Sequence, residues 1–143
     1  MATMMAQPIK ILLVDAHQTV RAGLRALLGT EADMAVIGEA DGGETAVFQA
    51  HTHQPDLIIM DAPNRQDLYT IRTLKSQSPH TNILVLTNCG EQDHIRSIMQ
   101  EGADGYLLKD NNTAGVIHAI RDITLGKPVL HPVALNTLIH PRI

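Results

Sequence analysis

A chain of 143 residues with 44% hydrophobic residues and one cysteine is long enough to bury a core without disulfide or metal staples. Its net charge of −4 argues against a surface that wraps nucleic acid unaided, since such surfaces are basic. A lone cysteine builds no disulfide framework, the opening MATMMAQPIK lacks a signal-peptide pattern, and no apolar run nears the ~20 residues of a bilayer span. A soluble, cytoplasmic protein with no membrane partner is expected.

In chain order, Ile9–Val14 reads as a strand, and Val20, Leu24, Leu27 and Leu28 then recur at helical spacing up to Gly29. Met34–Glu39 is a weaker strand closed by the turn-like Asp41-Gly42-Gly43. Ala46, Val47 and Ala50 mark a second helix ended by Pro55. Leu57–Met60 is a third strand running into Asp61, and Leu68, Ile71, Arg72 and Leu74 follow at helical spacing up to Ser78-Pro79. Ile83–Leu86 is a fourth strand ending on Thr87, with Ile95, Ile98 and Met99 on the next helix, stopped at Gly102. Gly105–Leu108 leads into Lys109, and Val116, Ile117, Ile120 and Ile123 form a last helix stopped at Gly126.

Five strand patterns alternating with five helix patterns imply βαβ units: an α/β fold, a doubly wound parallel sheet with helices on both faces. The near-continuous apolar strands fit a sheet buried on both sides. The domain is expected over 8–126. Residues 127–143 break the alternation and read as a linker toward an absent output domain; Val133, Leu135, Leu138 and Ile139 could give one short helix there.

Ligands of doubly wound sheets collect beyond the carboxyl ends of the strands. The residues there are Asp15, Asp61, Thr87 and Lys109. Taken singly, each has an ordinary explanation: an aspartate turn former, a structural threonine, a solvated lysine. With strand order 2-1-3-4-5, however, all four would line one edge on strands ~4.8 Å apart.

The chain resembles receiver domains of bacterial two-component response regulators, specifically the NarL/FixJ branch with LuxR-type output. The resemblance rests on IKILLVDAHQTVRAGLRALL, VIGEADGGETAV, QPDLIIMD, TNILVLT and GADGYLLKD, in that order. It implies a flavodoxin-like sheet and a signalling module rather than an enzyme. By the same resemblance Asp61 is the phosphoacceptor for a histidine kinase, Lys109 pairs with phosphate oxygens, and Thr87 moves to hydrogen-bond the phosphoryl group. Tyr106 is then the aromatic switch, and Asp15 with Asp61 belongs to a Mg2+ site. A homodimer is a further implication; helix 4, strand 5 and helix 5 often supply the partner surface in such families, but no sequence feature here fixes the face, and DNA is reached only through the absent output domain.

Two departures fall on the metal site. The family places a second acid after Asp15, and here Ala16 offers no ligand atom. The family also commonly reads D-x-x-M-P-x-x-D-G after the acceptor, whereas DAPNRQDLYTIRTL puts Pro63 two positions on and needs a gap of about two residues before Thr70-Ile71-Arg72. Proline fixes φ and removes an N–H, so this loop takes another path. The expectation is an atypical receiver that keeps acceptor, lysine and switch pair but binds Mg2+ weakly. Asp15 would then survive by capping helix 1 and sitting near Lys109. The alternative is a phosphorylation-independent dimerisation or partner-binding module on the same fold.

Other groups carry less. His51 and His53 lack an acid or cysteine cluster and read as a solvated helix end. His17 reads as packing or hydrogen bonding, and Cys89 has no basic neighbour to favour a thiolate. A hydrolase with an aspartate nucleophile would need a cap for which no length remains. A flavodoxin-like cofactor binder would need a phosphate loop and stacking aromatics, which the sequence lacks.

Overall fold

The computed structural model describes residues 7–88, 90–109 and 113–130. Strands β1 (Ile9–Val14), β2 (Met34–Ala40), β3 (Leu57–Met60), β4 (Asn82–Thr87), β5 (Gly105–Leu108) and β6 (Val129–Leu130) form one sheet in the order β2-β1-β3-β4-β5-β6. Every neighbouring pair is parallel. Between them run α1 (Gln18–Leu28), α2 (Gly43–His53), α3 (Arg65–Gln77), α4 (Gln92–Gln100) and α5 (Thr113–Thr124). Crossover helices are what parallel strands require, because no tight hairpin can join them.

The expected order 2-1-3-4-5 holds, and a sixth strand extends it. Val129 and Leu130 pair with Gly105 and Tyr106 inside the segment assigned to a linker. Two apolar residues after a proline show no period, so this short edge strand left no pattern to detect. The expected helix at Val133–Ile139, like Cys89, lies outside the described residues.

Alternation along the strands divides the core in two. Leu12, Val14, Ile58, Met60, Ile83 and Val85 face α2, α3 and α4, where Ala46, Ala50, Ile71, Leu74, Ile95 and Ile98 pack. Ile11, Leu13, Leu57, Ile59, Leu84 and Leu86 pack in the other core with Leu28 of α1 and with Val116, Ile117, Ile120 and Ile123 of α5. Both faces are dry, so these strands are apolar at every position. β2, at the edge, is only half-buried over most of its length.

Two loop features set the site. Gly102 and Gly126 take φ of 112° and 81° just past α4 and α5, which glycine adopts without a Cβ penalty and which ends each helix. At the start of α3, the Asp67 carboxylate accepts the Asn64 N–H at 2.8 Å, an N-terminal cap of the capping-box kind. Helix α3 therefore begins at Arg65, after only Ala62, Pro63 and Asn64 have followed Asp61. Ala62 is wholly buried and Pro63 exposed, so the shortened loop dips into the core and leaves it at the proline.

Candidate functional site

The site forms because the backbone ladder aligns four strand ends. The Asp61 N–H donates to the Val14 carbonyl (3.0 Å), the Asp15 N–H to Ala40 (3.0 Å), and the Lys109 N–H to Thr87 (2.7 Å). Asp15, Asp61, Thr87 and Lys109 thus fall in one row, as the strand patterns required. The Lys109 ammonium bridges the two carboxylates, with Nζ 2.7 Å from Asp15 Oδ2 and 3.0 Å from Asp61 Oδ2. The Asp15 side chain is 4% exposed and that of Lys109 15%, so these charges interact with little water between them.

Burial is the largest single influence on Asp15 and pushes its pKa up. The Lys109 hydrogen bond, the backbone and ring hydrogen bonds from His17, and the Lys109 charge together outweigh it, and the carboxyl ends below its usual value. Burial likewise pulls Lys109 down, but the hydrogen bonds and charges of Asp15 and Asp61 leave its pKa raised. Asp15 and Lys109 are therefore both charged at neutral pH.

The oxygens divide into engaged and open. Asp15 Oδ1 accepts the His17 N–H at 2.8 Å and lies 3.0 Å from His17 Nδ1. Asp15 therefore does not cap α1 as expected: His17 is the N-cap residue, without a side-chain cap bond, and the carboxylate closes a turn on His17 instead. Arg21 of α1 donates from Nη1 to the Asp15 carbonyl and from Nε to Glu39 Oε1 at 3.0 Å, tying the end of β1 to β2. Asp61 Oδ1 is buried and accepts no hydrogen bond from the described residues. A buried, unpaired carboxylate oxygen is costly and marks a position where a ligand belongs.

Thr87 and Tyr106 complete the row on its inner side. They are 1% and 0% exposed, and Tyr106 packs in the core with Ile95 and Ile98 of α4. Gly105 is what allows β5 to lie so close: a Cβ there would come 2.6 Å from Ile123 Cδ1 and 3.1 Å from the Val129 carbonyl oxygen. Beside the carboxylates opens a cavity of about 240 Å³ lined by Asp15, Ala16, His17, Asp61, Pro63, Asn64 and Asp67, among others. A larger depression of about 690 Å³ between α2 and α3, lined in part by Val47, Tyr69 and Thr73, lacks the lysine–carboxylate cluster.

The family of response regulator receiver domains matches residues 11–121. This chain belongs to it. The receiver is 33% identical over 129 residues to the response regulator protein VraR of Staphylococcus aureus, an alignment that covers 89% of this chain and 62% of VraR; the chain thus spans less than two thirds of that relative. A LuxR-family two-component response regulator from Aurantimonas sp. superposes with a TM-score of 0.85 at 26% identity, over 93% of this chain and 96% of that one. The signal receiver domain of NarL from Mycobacterium tuberculosis gives 0.79 at 26%, over 85% and 100%. The receiver is therefore a NarL/FixJ-branch domain with a flavodoxin-like sheet, and none of its described helices is long and apolar enough to cross a membrane.

Receiver domains bind Mg2+ through acidic residues, and the donor set here fits that ion poorly. Magnesium takes six near-octahedral oxygens and relies on one or two carboxylates. Both Asp15 oxygens already have partners, Ala16 adds none, and Asp61 Oδ1 is the one carboxylate oxygen of the pair left open. What the receiver has beyond the expected pair is His17, whose ring joins Asp15 and Asp61 with ligand atoms all within 4.8 Å of one another. The hydrogen-bonding role expected of His17 holds; its place beside both carboxylates was legible only as Asp-x-His directly after a strand. Asp67 was the other omission: burial first, then the Asp61 charge, raises its pKa despite the Asn64 hydrogen bond. His51 and His53 are exposed at the end of α2, as expected.

Proposed function

We propose that this receiver controls a DNA-binding output of the LuxR type through phosphorylation of Asp61, with a metal pocket weakened by Ala16 and by the short loop after Asp61. In this reading residues 8–126 form the receiver and 127–143 lead toward the output, with Val129 and Leu130 anchoring that segment to β5. A histidine kinase is the phosphoryl donor and a second copy of the chain the dimer partner. The domain acts as a signalling module in the cytoplasm rather than as an enzyme.

The observation that carries the reading is the Lys109 bridge beside an open carboxylate oxygen. An attacking oxygen needs a free lone pair, which Asp61 Oδ1 has and the lysine-bound Oδ2 has less of. Attack at phosphorus forms the O–P bond as the P–N bond of the donor phosphohistidine breaks, and the imidazole nitrogen keeps the electron pair. Lys109 remains protonated throughout and offsets the charge that arrives. Such transfer depends on positioning and charge neutralisation, and here one ammonium does most of the neutralising. Thr87 supplies a hydroxyl to the phosphoryl group, and Tyr106 links the site to α4.

A second reading is a phosphorylation-independent dimerisation or partner-binding module. It is favoured by Tyr106, whose ring is fully buried and packed with Ile95 and Ile98 of α4, the inward position of the switch. Acetyl phosphate with millimolar Mg2+, followed by intact-mass measurement, tests the two. Slow, partial gain of one phosphoryl group, abolished in Asp61→Asn and accelerated in Ala16→Asp, supports the first. No gain even in Ala16→Asp overturns it in favour of the second.

A further inference from the structure

We propose that Asp15, His17 and Asp61 form a mixed nitrogen–oxygen site for a first-row transition cation of the Co2+ or Zn2+ kind, with His17 in the ligand place that Ala16 leaves open. The proposal concerns the pocket read above as the phosphoacceptor site and rests on that reading only for location. Imidazole nitrogen suits these borderline cations and suits Mg2+ badly. Exchanging a carboxylate for an imidazole therefore changes which metal the pocket selects rather than only weakening it.

Three observations support the site. The ligand atoms of the three residues all lie within 4.8 Å of one another, so an inward shift of a few tenths of an ångström by each side chain sets them around one ion with bonds of about 2.1 Å. His17 Nδ1 and Asp15 Oδ1 are 3.0 Å apart, about the separation of two neighbouring ligands at 90° on such an ion. Asp61 Oδ1 is buried and without a hydrogen-bond partner among the described residues, so a cation there would satisfy an oxygen that none of them satisfies.

The surroundings agree. Lys109 takes Oδ2 of each carboxylate, which leaves Asp61 Oδ1 open and, on Asp15 Oδ1, the second lone pair beside the His17 N–H bond. The His17 side chain is 73% exposed, which keeps an entry path and room for water or a phosphoryl oxygen in the remaining positions. The His17 backbone N–H holds the same Asp15 oxygen at 2.8 Å, and this fixes the carboxylate before any ion arrives.

Any nitrogen–oxygen site prefers Co2+ to Mg2+ to some degree, so the deciding readout is dependence on His17. The 143-residue chain is titrated with CoCl2 by calorimetry and by visible absorption of the cobalt ion, and in parallel with MgCl2. One Co2+ per chain is expected, bound about tenfold or more tightly than Mg2+. His17→Ala should lower Co2+ affinity about tenfold or more and leave Mg2+ affinity within about twofold, while Asp61→Asn lowers both. The double variant His51→Ala/His53→Ala should bind Co2+ as the parent does.

Undiminished Co2+ binding by His17→Ala overturns the proposal, as does loss of binding in the His51/His53 variant. Circular dichroism of each variant separates lost ligands from lost fold. Since no phosphodonor is present, an Asp61 that never accepts a phosphoryl group would leave these results unchanged, so the two readings fail separately.

Discussion

The two halves of the pocket are built differently. On the β4–β5 side, Thr87 and Tyr106 are wholly buried and Lys109 nearly so. On the β1–β3 side, Ala16 and His17 are exposed and the loop after Asp61 reaches solvent at Pro63. The first half is part of the core, so its residues are tied to the stability of the fold. The second is a rim, where residues can change with little thermodynamic penalty and a large chemical one. The proposed function, a weakened cation-holding half with a retained switch half, is what that difference would permit.

The contrast can be broken most forcefully at Tyr106. Tyr106→Ala removes a fully buried ring and should cost about 4 kcal/mol, read as a lower urea midpoint at unchanged m-value. A loss under about 1 kcal/mol would mean that the switch half is not core. Lys109→Met comes next: it strands two carboxylates in a mostly dry pocket, and a loss of about 2 kcal/mol at pH 7 is expected. That loss should shrink toward acid pH as the stranded carboxyls protonate.

On the rim the expectation reverses. Ala16→Asp should leave stability within about 0.5 kcal/mol yet raise the initial rate of phosphoryl uptake from acetyl phosphate with Mg2+ about tenfold, or ~1.4 kcal/mol of barrier. Equal rates in the two proteins would show that Ala16 does not limit the metal site.

The pH dependence sharpens the same contrast on a smaller scale. The Asp15 pKa is lowered from 3.8, so its contribution to stability is fully present above pH 3.8 and is lost as pH falls through the lower folded value. The Lys109 pKa is raised from 10.5, so its contribution is present below pH 10.5 and is lost as pH rises through the higher folded value. Asp67 runs the other way: its pKa is raised from 3.8, and its ionisation costs stability at neutral pH. Asp15→Asn should flatten the acid limb of a stability–pH curve below about pH 4. Asp67→Asn should keep an acceptor for the Asn64 N–H and raise stability at pH 7 by a few tenths of a kcal/mol at most. An unchanged acid limb in Asp15→Asn would mean that the Lys109 bridge is not a source of that stability.

What could be read from the chain follows from how local each feature is. Ile11-Leu12-Leu13-Val14, Leu57–Met60 and Ile83–Leu86 are apolar at every position because two cores claim alternate residues, and such runs declare themselves without any partner in view. Asp15, Asp61, Thr87 and Lys109 end or directly follow such runs, so parallel pairing alone puts them in one row. That position 16 adds no ligand beside Asp15 was also readable, since alanine supplies no donor atom in any fold. Val129 and Leu130 were not foreseeable, because two residues become a strand only once β5 offers an edge to pair with.

Only the tertiary structure decided how the polar atoms share one another. Lys109 is 94 residues from Asp15 and 48 from Asp61, and no sequence pattern says that one ammonium takes an oxygen from each. That division leaves Asp61 Oδ1 unpaired and sets the His17 ring against Asp15. A sequence names the charges a fold will bring to one end of a sheet, because strand polarity fixes which ends meet. Which lone pairs stay open depends on hydrogen-bond geometry at the scale of an ångström, and that exists only after the strands have packed.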